Sequence, residues 1–159
     1  MKIIAIDPGY ERLGIAVMER KNKTDELLYS DCFFTEKSLP HPDRLAAIGI
    51  ELDRIIDEYG PEALSVETLF FSKNTKTAMK VAEARGVILH AAARRGLKIQ
   101  EFSPMSIKIA VTGYGRSDKN QMISMIPRLV KINKKIKYDD EFDAIAAGIT
   151  YFATVKQFS

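Results

Sequence analysis

A single cysteine, Cys32, stands among the 159 residues, so no intramolecular disulfide can staple this chain. Its fold must rest on its core, and one unpaired thiol suits a reducing compartment, here expected to be the cytoplasm. No apolar run approaches the ~20 residues of a membrane span, so no membrane role is expected. The start, MKIIAIDPG, meets Asp and Pro too soon to supply a signal-peptide core. Only two histidines occur, His41 and His90, neither with a ligand-like neighbour, which argues against zinc. Repeats, low-complexity runs and Pro/Gly/Ser linkers are absent as well, so residues 1–159 are expected to form one domain.

What is present is a globular composition, 46% apolar and 28% charged. The net charge of +3 understates a polarity along the chain. Between Ser103 and Tyr138 eight Lys/Arg face one acid, Asp118, and between Phe71 and Gln100 seven face Glu83. Bases gathered in two segments fit a polyanionic partner, nucleic acid first, or a solvated lysine-rich surface.

Residues 2–6 (KIIAI) are almost continuously apolar, which predicts a strand covered on both faces. Residues 14–18 and 27–35 read as two more strands, and the short polar connections PGYER and KNKTDE make the three a meander. A helix is expected from about Pro42 to the Gly60-Pro61 stop, then a short strand over 63–66 that delivers Glu67. A helix over 75–95, stopped by Gly96, leads to a strand over 98–102. Helices over 105–111, 118–130 and from about Asp139 follow, with Pro127 expected to kink or shorten the middle one. The order predicts an α/β fold with one five-stranded mixed sheet flanked by helices. In the long helix Ala78, Val81, Ala84, Ile88 and Ala91 form a stripe, beside Ala82 and Leu89. It suits either a partner subunit or the chain's own core.

Asp7 ends the first strand and Glu67 the fourth, and the crevice beyond strand ends is where open α/β sheets build sites. Four acids crowd DDEFD, residues 139–143, at the start of the last helix. Helix capping explains one or two of them, with Asp139 or Asp140 the expected cap. Asp140 and Asp143, three apart, share a helix face. Gathered carboxylates raise one another's pKa, and a divalent cation removes that cost. Oxygen donors select Mg²⁺ or Mn²⁺. Two such ions ~4 Å apart are a device for phosphodiester cleavage, so acids beside basic segments point to a metal-dependent nuclease.

Four ordered blocks, IDPGYERLG (6–14), VETLFFSKNTKTAMKVAEARG (66–86), VTGYGRSDKNQ (111–121) and DEFDAIAAGIT (140–150), resemble the RuvC family of Holliday-junction resolvases. That family lies within the RNase H-like/retroviral-integrase superfamily. The resemblance implies an RNase H-like fold and Asp7, Glu67, Asp140 and Asp143 as catalytic ligands of two Mg²⁺ ions, with Mn²⁺ able to substitute. It implies a homodimer that nicks a four-way DNA junction symmetrically, leaving 5′-phosphate and 3′-hydroxyl ends, in company with the RuvA–RuvB branch-migration complex. It also implies DNA contacts by Phe70, Lys73, Asn74, Lys76, Lys80, Arg85, Lys108, Arg116, Ser117 and Lys119, with Phe70 as a wedge that unstacks bases. Gly113-Tyr114-Gly115 and the residues after it suggest a phosphate cradle. Leu13, Ile15-Ala16 and Tyr151 depart from residues frequent in the family, and none touches the four carboxylates. The alternatives are a single-domain relative of the sugar-kinase/actin-like ATPases, an inactive DNA-binding relative, and an RNase H-like nuclease acting on RNA.

Overall fold

The computed structural model describes residues 1–69 and 75–155. Its elements run β1 (Lys2–Asp7), β2 (Arg12–Lys21), β3 (Thr24–Phe34), α1 (His41–Tyr59), β4 (Ala63–Glu67), α2 (Thr75–Arg94), β5 (Lys98–Phe102), α3 (Pro104–Thr112), α4 (Lys119–Leu129) and α5 (Asp139–Thr154). One sheet in the order β3-β2-β1-β4-β5 carries the fold. The first three strands form the expected antiparallel meander, while β1, β4 and β5 are mutually parallel.

Strands β2 and β3 are longer than their apolar cores suggested. Polar residues pair across the sheet out to Lys21 opposite Thr24. The connection is therefore only Asn22-Lys23, both in the left-handed region at φ 50° and 66°. Two consecutive positive φ values match the twist of a tight hairpin, and Asn tolerates them well. Pro127 does not shorten α4: it sits near the end, and the helix continues to Leu129.

Both faces of β1 are buried, which accounts for its apolar run. Ile4 and Ile6 meet Ile15, Val17, Leu64 and Val66 under α1 and α2. Ile3 and Ala5 meet Ala16, Met18 and the helices α3, α4 and α5 on the other face. The small residues of α5, Ala144, Ala146 and Ala147, bring that helix close over the sheet, and Ser65 Oγ donates to Ala147 O at 2.7 Å.

The α2 stripe is largely spent inside the chain. Ala84, Ile88 and Ala91 are buried against α1 and the sheet, and Ile88→Ala would cost about 2–5 kcal/mol by leaving a cavity. Part of the lysine-rich stretch 131–137 is tied into the fold. Lys131 bridges the β3 edge through its backbone, receiving a bond from Leu27 N at 3.0 Å and donating to Asp25 O at 2.9 Å. Lys134 donates to Ser30 O at 2.6 Å and to the Glu141 carboxylate at 2.9 Å.

Candidate active site

Parallel pairing fixes the first two acids. Ile6 lies opposite Val66, so Asp7 and Glu67 leave neighbouring strands side by side at the same end of the sheet. Helix α5 begins at that end and passes over β2 at Gly14. A Cβ on Gly14 would stand 2.1 Å from Asp140 O and 3.1 Å from Asp7 Cβ. Only a residue without a side chain allows this approach, and through it Asp140 stands beside Asp7.

The cluster behaves electrostatically as one unit. Burial, then Asp143, Glu67 and Asp140, push the Asp7 carboxyl up to about 8, with Lys119 opposing. Burial followed by Asp143 raises Glu67 too, against Lys119 and Lys108. Lys119 forms an ion pair with Asp143. Asp140 is partly buried, and its Oδ2, shielded from solvent, has no hydrogen-bond partner. Arg12 Nη2 approaches that oxygen at 3.5 Å, near enough for charge attraction but without a hydrogen bond. Among the described residues no three His, Cys, Asp or Glu side chains already stand arranged to hold an ion, as self-repelling acids held by Lys119 and Arg12 would be expected to stand. An all-oxygen donor set with an orphaned buried carboxylate oxygen nonetheless fits a hard divalent cation.

Two grooves flank the cluster. One, of about 320 Å³, is lined by Glu67, Asp143, Lys108 and Lys119, with Ser117 in its wall. The other, of about 630 Å³, is lined by Asp140, Arg12, Lys76, Lys80, Tyr10 and His41 among others. Four of the basic residues singled out for DNA therefore face grooves that open on the carboxylates. Arg116 is exposed on the turn before α4. Arg85 is otherwise engaged: it donates to Glu67 O at 3.2 Å and pairs with Glu101, bracing the strand end that carries Glu67. Ser117 is buried, and its Oγ donates to Tyr114 O at 2.6 Å, so this hydroxyl holds the turn and is not offered to a phosphate. Phe70, Lys73 and Asn74 lie outside the described residues.

The DDEFD turn corrects the capping expectation. Neither Asp139 nor Asp140 caps α5; the N-cap is Tyr138. The carboxylate that accepts from the free backbone amides is Glu141, bonded to Lys137 N at 3.0 Å and Tyr138 N at 3.1 Å. Its other oxygen accepts from Ser30 Oγ at 2.6 Å and from Lys134. Glu141 is thus no solvated first-turn acid: only 1% of it is exposed. Burial alone would raise its pKa, but Ser30, Lys134 and the two amides outweigh burial and hold it below the usual range.

Several participants escaped the sequence reading. Arg12 lies in a connection that gave no reason to single it out, and Gly14 looked like an ordinary strand residue. The Cys32 thiol is pushed up to about 12, by burial first and Asp140 second, so it stays neutral against the site. His41 bonds Tyr10 OH at 2.8 Å and Glu83 at 2.5 Å, tying the β1–β2 turn to α1 and α2. A sequence signal existed only for the IDPG turn itself.

A mixed sheet ordered β3-β2-β1-β4-β5, with acids at the ends of its adjacent parallel strands and facing helix, has the frame of the RNase H-like nucleases. The model of the family described as "Crossover junction endodeoxyribonuclease RuvC" matches residues 3–151, and the chain belongs to that family. It is 44% identical to the crossover junction endodeoxyribonuclease RuvC of Thermosipho melanesiensis over 93% of this chain and 94% of that protein. Against the protein of the same name from Finegoldia magna it is 38% identical over 95% and 92%. The structure of T. thermophilus RuvC in complex with Holliday junction substrate superposes with a TM-score of 0.89 at 28% identity, covering 96% of this chain and 93% of that one.

Proposed function

We propose that this chain is a divalent-metal-dependent, structure-specific endonuclease that resolves four-way DNA junctions during recombination and repair, with residues 1–159 as one nuclease domain. The observation that carries the reading is the convergence of Asp7, Glu67, Asp140 and Asp143 between two grooves that each present lysines. Family membership over nearly the whole chain, and the likeness to a relative solved with Holliday junction substrate, support the choice of DNA.

Asp7, Glu67, Asp140 and Asp143 would hold two Mg²⁺ ions, with Mn²⁺ able to substitute. Bound there, the ions would activate water and offset charge on the leaving oxygen, yielding 5′-phosphate and 3′-hydroxyl ends. The residues of the chain supply the rest. Asp7 and Glu67 present oxygens from rigid strand ends, and Asp140 brings a buried oxygen that nothing in the protein satisfies. Lys108 and Lys119 face the same groove as Glu67 and Asp143, where they meet the phosphate charge. Lys119, paired with Asp143 in the ion-free site, would be available for that contact when Asp143 holds a cation. Lys76, Lys80 and Arg12 hold the strand on the other side by phosphate contacts, which position without reading sequence. From the family resemblance, Phe70, Lys73, Asn74 and Arg116 are further DNA contacts, with Phe70 as the wedge.

One chain carries one carboxylate cluster, whereas paired symmetric nicks across a two-fold junction need two. A homodimer supplies the second. Its surface must lie elsewhere than Ala84, Ile88 and Ala91. A RuvA–RuvB complex as partner, and the cytoplasm as location, follow from the family reading; no helix among the described residues is long and apolar enough to cross a membrane.

The test is an end-labelled four-way junction incubated with Mg²⁺. Paired nicks at symmetric positions are expected, and Asp7→Asn should abolish them while junction binding persists. Equal cutting of linear duplex, or ATP hydrolysis without nicking, would overturn the reading.

A further inference from the structure

One corner of the molecule near the groove of Glu67 and Asp143 leaves three large side chains with apolar surface exposed. Met105 and Ile109 on α3 are 61% and 50% exposed, and Tyr114 on the turn after it is 58% exposed. The turn folds back on the helix: a Cβ on Gly115 would lie 3.0 Å from Met105 Cγ and 3.4 Å from Ile109 Cγ1. Gly113 ends α3 in the left-handed conformation at φ 79°, which turns the chain sharply and lifts Tyr114 outward.

This turn is locked by hydrogen bonds. Thr112 Oγ1 accepts from Tyr114 N at 3.1 Å and donates to Lys108 O at 2.8 Å. Ser117 Oγ donates to Tyr114 O at 2.6 Å and lies against Thr112 Oγ1. The residues expected to cradle a phosphate instead hold an aromatic ring out from a rigid backbone. A ring with few free torsions on a fixed turn loses little entropy when something packs against it.

Contiguous exposed apolar surface marks a partner's place, and the surroundings state its chemistry. Lys108, Arg116 and Lys119 rim the corner. The acid among them, Asp118, is committed to capping α4 through Gln121 N at 2.9 Å. Pro104, Lys108 and Lys119 continue directly into the groove that holds Glu67 and Asp143. A basic rim around an aromatic and apolar face is the arrangement that holds nucleotides, with phosphates on the cations and a base on the ring. Bases inside duplex arms have both faces covered. Those at the centre of a four-way junction can lose a stacking neighbour.

We propose that Tyr114, with Met105 and Ile109 beside it, is a stacking platform for an unpaired nucleotide of the junction next to the scissile phosphate. This rests on the junction-nuclease reading above. The platform favours branched over linear DNA, because only the branched substrate offers an uncovered base there. The side of the site it occupies is that of Lys108 and Lys119.

The test compares wild type, Tyr114→Ala and Tyr114→Phe on a four-way junction and on linear duplex, with 2-aminopurine placed beside the nick. Tyr114→Ala should weaken junction binding by roughly ten-fold, the magnitude of one lost base stack. Duplex binding and the thermal midpoint should stay unchanged, and 2-aminopurine fluorescence in the bound junction should rise as quenching by the ring is lost. Tyr114→Phe should keep both affinity and quenching. The proposal is overturned if Tyr114→Ala behaves as wild type, if both variants fail alike, or if junction and duplex weaken equally. A wild type that nicks no junction would instead remove the functional reading and the platform with it.

Discussion

Asp140 and Glu141 are neighbours in sequence, both withdrawn from solvent, and their surroundings are opposite. Glu141 has every oxygen engaged by Ser30, Lys134 and two backbone amides. It is ionised and structural. Asp140 keeps one buried oxygen without a hydrogen bond, beside an Asp7 carboxyl held up to about 8. A buried carboxylate costs stability unless it is satisfied. Where the protein satisfies it, the acid holds the fold; where it does not, a ligand from outside is expected to. The other two acids of the stretch extend the contrast, since Asp139 is exposed at the helix start and Asp143 leans on Lys119.

The largest expected effect lies on the unsatisfied side. Asp7→Asn or Asp140→Asn should reduce Mg²⁺-dependent junction cleavage to background in a gel assay. The same changes should raise the thermal midpoint of the ion-free protein by a few degrees, because a neutral amide replaces a carboxyl that is costly to ionise in this buried, acid-rich place. A fall in stability would place Asp140 with Glu141 and break the comparison.

Glu141→Ala is expected to do the reverse. It strands the Ser30 hydroxyl, the Lys134 ammonium and two helix-start amides, at a cost of about 3 kcal/mol in denaturant unfolding. Cleavage per folded molecule should survive. Ser30→Ala, which removes one of those bonds, should cost about 1 kcal/mol.

The two acids also answer pH with opposite signs. In the folded protein Asp7 keeps a proton that the unfolded chain releases near the ordinary value of 3.8. Its contribution to stability is therefore lost as pH rises toward about 8. Glu141, held below its ordinary value, contributes stability above that value and loses it as pH falls through its folded pKa. Thermal melts should show the rise in midpoint on adding Mg²⁺ growing as pH goes from about 5 to about 8, as the proton competes less. Asp7→Asn should flatten that trend. An equal gain from Mg²⁺ at both pH values would dissociate Asp7 from the ion.

The smallest effect belongs to Asp139→Asn. Exposed at the first turn of α5, it should shift stability by about 0.5 kcal/mol or less and leave cleavage unchanged.

Much of this was legible before any coordinates. The apolar run of β1 announced a strand buried on both faces, and Gly60 and Gly96 marked the ends of α1 and α2. Asp7 and Glu67 were readable as strand-end acids, and Asp140 and Asp143 as a shared helix face. Less legible were features that depend on distant partners. Nothing local says that Arg85 would be drawn to Glu67 O and Glu101, or that Ser117 would turn inward to Tyr114 O. Glu141 looked like any first-turn acid because Ser30, 111 residues away, is absent from its sequence neighbourhood.

By itself the sequence determined which helices and strands form, in what order, and which acids sit near their ends, because periodicity and turns are local properties of the chain; how far β2 and β3 run was set by pairing across the sheet. It also carried the family blocks. Only the tertiary structure decided which of four crowded acids is satisfied and which is left wanting. That outcome is set by burial and by partners from β1, β2, β3, β4 and α4, and the electrostatics of a carboxylate depend on what surrounds it in space, whatever stands beside it in the chain.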